Sequence, residues 1–196
     1  MRDVRPRIAT QEGFILDKLL GEEVLKSSES LTAPSSFIVP YDPHDERAAR
    51  EVRRALISDL KARGHRVCDV DLYVLYMQLL DESGSYEDVV EVEPEYDADV
   101  FIDMMNDIVD AETMIVPTII DRIDGADLLF LSGVGACYPF LRVHRLLEML
   151  HPDVPMVTFF PGMYHVGLDG RPHFDVLDVP QEGNTPHYRA RNLYDL

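Results

Sequence analysis

The sequence predicts an α/β fold, Rossmann-like, with a mainly parallel four-stranded sheet and helices on both faces. Three observations carry this. Four short strand-like runs, at residues 36–40, 65–71, 127–132 and 155–160, alternate with segments of helical periodicity, and all but the second are apolar. The third and fourth are apolar throughout, as strands buried on both faces should be. The runs end in the Gly, Pro and Asp that turn a strand into a helix.

Residues 12–26 place Phe14, Ile15, Leu19, Leu20 and Val24 at helical spacing, interrupted weakly by Gly21. Residues 27–36 are Ser/Thr-rich and read as a loop, so 1–36 form an N-terminal helix and loop. Strand one follows at 36–40. Asp42 and Pro43 can cap and start a helix over 44–63, which stops at Gly64. Strand two at 65–71 completes a β-α-β unit, expected to pair in parallel with strand one. Helices are predicted at 72–81, 85–93, 98–109 and 114–123, the last despite Pro117. Residues 81–124 thus form an acidic helical insert between strands two and three. A glycine loop at 133–138 leads into a helix over 139–150, and strand four ends at Pro161. Asp169-Gly170, between two further extended runs, signals a C-terminal β-hairpin. Residues 180–196 read as a polar, turn-rich tail.

The 196 residues are expected to form a single α/β domain, and a chain of that length buries a core without metal or disulfide. The hydrophobic share of 46% and charged share of 28% are those of a globular protein rather than a disordered one. No run approaches the length of a membrane span. The first ten residues carry three arginines and lack the apolar core of a signal peptide. Cys68 and Cys137 make no disulfide framework. A cytoplasmic location is the expectation.

The net charge of −18 disfavours direct contact with nucleic acid or with an anionic membrane. Residues 81–124 hold fifteen acids against one base, Arg122. Such a stretch can dock a basic partner, mimic the charge of DNA, or simply be a solvated face. The scarcity of lysine, confined to Lys18, Lys26 and Lys61, also suits a host that keeps proteins soluble at high salt.

In an open parallel sheet, ligands bind beyond the carboxyl ends of the strands. The residues there are Tyr41, Asp42, Asp69, Asp71, Gly133, Gly135, Tyr138, Arg142, Gly162 and Tyr164, the candidate partner- or ligand-binding set. Gly133 and Gly135 open onto a helix N-terminus, as an anion cradle would. No Gly-Lys-Ser/Thr follows, and position 138 is tyrosine where a dinucleotide motif needs glycine. A tight turn that requires small residues is the alternative. Cys137 lies near a helix start, with His144 on the same helix and no third partner, so an inert thiol is expected. Asp69 and Asp71 share a face, and capping the next helix is their plain role. The pairs Asp42/His44, His151/Asp153 and His173/Asp175 fall in different elements and match no metal spacing. No catalytic set, metal or cofactor is implied.

Several strand-end segments carry a family resemblance. They are residues 37–43 (FIVPYDP), 67–73 (VCDVDLY), 129–144 (LFLSGVGACYPFLRVH), 159–164 (FFPGMY) and 188–193 (YRARNL). In this order they resemble the BrxB family of the bacteriophage-exclusion (BREX) defence systems of prokaryotes, with 133–144 and 159–164 the most specific parts. The resemblance implies a small cytoplasmic component of a multi-protein complex that restricts phage beside a host-protecting DNA methyltransferase. It further implies other BREX proteins as partners, above all a PglZ-type protein resembling alkaline phosphatases. It supplies no catalytic residue. The function expected is a non-enzymatic adaptor. A nucleotide-binding or hydrolytic enzyme using the strand-end crevice, and an acidic DNA mimic, stand beside it.

Overall fold

The computed structural model describes residues 6–29, 35–92, 96–166, 172–179 and 190–196. Strands β1 (Ser36–Tyr41), β2 (Val67–Asp71), β3 (Leu128–Ser132), β4 (Met156–Val166) and β6 (Arg191–Asn192) are joined in the order β2-β3-β4-β1-β6. All the pairings along that path are parallel, and β5 (Pro172–Val176) pairs antiparallel with the far half of β4. The α/β, Rossmann-like expectation holds, with six strands among the described residues rather than four.

Alternation along the strands divides the core in two. Phe37, Val39, Phe130, Val157 and Phe159 face one layer, where they pack with α1 (Glu12–Leu20) and α3 (Glu46–Ala62). Ile38, Leu129, Leu131, Met156 and Phe160 face the other. There lie α4 (Leu72–Glu82), α5 (Tyr86–Val92), α6 (Ala98–Ile108), α7 (Val116–Arg122), α8 (Val134–Cys137) and α9 (Val143–Met149). On the first face, α3 carries the chain from β1 across to β2. The helices after β2 bring it back on the second face. Direction and face reverse together, so both movements keep the same hand.

Five sequence expectations are corrected. Strands one and two are parallel but not neighbours, because β3 and β4 lie between them. A long helix such as α3 can span two intervening strands, and sequence adjacency does not fix strand order. Gly21 breaks the first helix outright, with extended backbone (ψ 148°), leaving α2 (Glu22–Leu25) as a separate turn. The 139–150 helix is shorter: α9 begins after Arg142, and the glycine loop itself winds into α8. Strand four does not stop at Pro161. It runs on through Gly162 into the hairpin, whose arms pair from Gly162↔Val176 to Val166↔Pro172. The Asp169-Gly170 turn lies outside the described residues. Finally, the end of the polar tail supplies β6 and buries Leu193 completely.

Pro117 falls in the first turn of α7. A π-helical turn, Ala111–Ile115, precedes it. Asp110 caps that turn, accepting from the Thr113 amide (2.8 Å) and hydroxyl (2.7 Å).

Candidate functional site

The polar residues at the strand ends are engaged by their own neighbours. Tyr41 is only 2% exposed, and its hydroxyl donates to Glu46 Oε2 (2.5 Å) at the start of α3. The other Glu46 oxygen accepts from Arg50 Nε (3.1 Å). Burial, then the Glu46 carboxylate, push the Tyr41 phenol far above its ordinary range. Asp42 accepts from the His44 amide (2.9 Å) and caps a short 3-10 turn. Asp69 meets Arg53 of α3 at 2.6 Å, and Asp71 caps α4 through the Tyr73 and Val74 amides.

The glycines are enclosed by protein. Gly133 takes a left-handed φ of +75°, and a side chain there would begin 2.3 Å from Asp71 Oδ1. At Gly135 an added Cβ would lie 2.9 Å from both Leu177 and Pro161. Gly162 has the Asp175 carbonyl oxygen 2.0 Å from where a Cβ would be. The hairpin end therefore packs against the glycine turn. Tyr164 belongs to the hairpin arm through its backbone pairing with Phe174, and its side chain is outside the described residues.

Burial disfavours the thiolate of both cysteines. Burial first, then the charge of Asp71, push Cys137 up to about 12. Burial raises Cys68 as well. His144 is half-buried, and burial holds its imidazole below the ordinary value, assisted by Arg145 and Arg142 and opposed by Glu148. It is therefore neutral at pH 7. Among the described residues, no three His, Cys, Asp or Glu side chains converge as metal ligands.

Open space of another kind lies beside Tyr138 and Arg142. A cavity of about 500 Å³ separates α6 from residues 138–144, with Asp99, Ile102 and Asp103 on one wall and Tyr138, Leu141 and Arg142 on the other. It continues into a second cavity of about 600 Å³, between Asp103, Asp107 and Glu112 and the arginines Arg142 and Arg145. At the opposite end a smaller apolar hollow of about 300 Å³ lies among Tyr96, Ile102, Pro139 and Phe140. The walls are fixed by packing. Tyr76 of α4 donates to the Met105 carbonyl (2.9 Å), and Phe101 sits edge-on to Phe140 with ring centroids 6.0 Å apart. Of the ten sequence-predicted residues, the structure brings Tyr138 and Arg142 to this groove, keeps Tyr41, Asp42, Asp71, Gly133 and Gly135 at the strand ends, and places Asp69 within β2 and Gly162 and Tyr164 in the hairpin arm of β4.

The acidic wall was visible in sequence as Asp99, Asp103 and Asp107 at i, i+4 spacing, and the arginines as Arg142 and Arg145 at i, i+3. Sequence reasoning missed that these faces oppose one another. The only signal was that both segments follow β2 on the returning path, which places them on the same side of the sheet.

No solved structure matches the chain. A curated relative from Bacillus cereus (strain H3081.97), BREX protein BrxB, is 29% identical over 98% of this chain and 95% of its own length. Another BREX protein BrxB, from Escherichia coli O9:H4 (strain HS), is 22% identical over 91% of this chain and 88% of its own. The family model described as BREX protein BrxB matches residues 68–193, from β2 to the buried Leu193, and the chain belongs to the BrxB family.

Proposed function

We propose that this chain is a non-enzymatic accessory component of a prokaryotic anti-phage BREX complex. It acts in the cytoplasm through protein–protein contacts, chiefly with a PglZ-type, alkaline-phosphatase-like protein. Family membership supports the defence role. One observation carries the adaptor reading: the strand-end groups that would bind a nucleotide or run catalysis are spent on internal contacts. Asp71 is a helix cap, Asp69 an ion-pair partner, and Gly135 is packed under Leu177 and Pro161. No helix of the described residues is long and apolar enough to cross a membrane.

The test has two arms. Tagged chain co-expressed with the other proteins of its operon should capture the PglZ-type protein, and deleting the chain should abolish phage protection. Purified chain should show no thermal shift with millimolar ATP, GTP or NAD. A ligand present at 1,000 times its Kd would raise stability by about 4 kcal/mol. A shift of that size, or phosphoester hydrolysis by the chain alone, overturns the adaptor reading in favour of a nucleotide-using enzyme.

A further inference from the structure

We propose that the groove between α6 and α9 receives a short basic, amphipathic helix from a partner protein. The inference rests on the adaptor reading and says which surface performs it. The groove has the dimensions of a helix seat. The 11 residues of α6 extend about 16 Å, close to three helical turns. Its cavities adjoin, sharing Ile102 and Pro139 at one junction and Asp103 and Arg142 at the other.

Its chemistry is that of a helix-in-groove contact. The groove is polar along most of its length, with Ile102 between its aspartates and Leu141 and Val143 buried beneath it, and it opens at one end onto the apolar Tyr96 and Phe140. Tyr96 remains strongly exposed (49%) at that end. Along one wall Asp99, Asp103 and Asp107 recur every fourth residue, all solvent-exposed. Among the described residues none of the three forms an ion pair with the arginines across the groove. A partner helix with apolar residues at i, i+3 and i+4, and Lys or Arg one position to the side, satisfies floor and wall together. Arg142 and Arg145 on the second wall would select a single acidic residue on that helix and fix its direction.

Charge complementarity decides between occupants. Nucleic acid is repelled by the aspartate wall and by the −14 of residues 81–124. Among the described residues a second copy offers α3 as its basic helix, where Arg47 and Arg50 already pair with Glu51 and Glu46 and Arg53 is buried against Asp69, which leaves Arg54 and Lys61 to meet three aspartates. A basic helix of another protein is the occupant that fits.

The experiment uses the full chain, co-expressed with each operon protein in turn. Three forms are compared: unchanged, Asp99→Asn/Asp103→Asn/Asp107→Asn, and the conservative Asp→Glu triple. Expected is capture of one operon protein by the unchanged chain, weakened roughly tenfold or more in the Asn triple and retained in the Glu triple. Overlapping synthetic peptides covering that captured protein should include one basic amphipathic segment that binds the unchanged chain. The same peptide should cross-link to a photoreactive residue at position 102. Circular dichroism and thermal melting confirm that the variants fold.

Undiminished capture by the Asn triple, or a cross-link only from a probe at position 177 on the strand-end face, overturns the groove and leaves the adaptor reading standing. Capture by no form removes both readings. A chain dimer that the Asn triple abolishes replaces the partner helix with self-association, and displacement of the captured protein by duplex DNA makes the acidic wall a charge mimic.

Discussion

Arg53 is the most constrained charge in the molecule. It sits mid-helix in α3, 7% exposed, with Asp69 as its ion-pair partner at 2.6 Å and its Nε unbonded. Asp69 is about a third exposed (34%), so water screens its side of the pair. Replacing Asp69 by Asn strands the buried guanidinium and should lower stability by about 1–3 kcal/mol. An Arg53→Met/Asp69→Leu double change should lose less than Asp69→Asn alone, because no unpaired charge is left inside. One further aspartate should mark the pH profile. Hydrogen bonds from Thr113 lower Asp110, whose contribution is present above 3.8 and lost as pH falls through its folded value. Asp110→Ala should cost about 1 kcal/mol at neutral pH and converge with the parent in acid. Urea midpoints measured from about pH 3 to 6 check that convergence.

The hairpin shows how one element covers another. Gly162 ends the parallel part of β4 with φ +155°, and the Asp175 carbonyl fills the place of a side chain. Gly162→Ala should therefore cost about 3 kcal/mol or more, through a clash that neither backbone can relieve. Gly64, with φ +90° and nothing within 4 Å, should lose only about 1–2 kcal/mol on the same change. Equal losses in urea denaturation would show that backbone conformation, and not the fold-back of β5, sets the requirement. These elements also mark what the sequence discloses. The apolar runs of β3 and β4 announce a buried parallel sheet, because strands covered on both faces have no polar side. Strand order as a whole is not legible, since it depends on how far α3 travels. Pro161-Gly162 reads as a stop because the same residues serve a turn and a bend, and a two-residue strand such as β6 has no period to detect. At the site, Tyr138 and Arg142 are found by their nearness to the glycine turn. Tyr41 misleads: an aromatic at a strand end suggests a contact surface, but alternation carries it into the core, where its hydroxyl needs Glu46.

Across the whole molecule the charge is polarised. The cationic helix α3 covers one face of the sheet, while the insert with fifteen acids and one base lies on the other. Such an arrangement opposes folding locally. Asp99, Asp103 and Asp107 are like charges one helical turn apart, each pair unfavourable by a few tenths of a kcal/mol. Their repulsion reaches as far as salt allows, about 10 Å at 0.1 M and about 3 Å at 1 M. The melting temperature should accordingly rise as sodium chloride is raised from about 0.05 to 1 M, most steeply at the low end. Chloride is the right probe, because sulfate would also strengthen apolar burial and blur the cause. The Asn triple at 99, 103 and 107 should melt higher than the parent at low salt and respond less to added salt, while their curves converge at 1 M. If the slopes are identical, the repulsion resides instead in the acids of residues 81–97. A triple that gains stability while losing its partner would show why the wall stays acidic: its charge is unfavourable to the isolated fold and is neutralised only when a cationic helix lies along it.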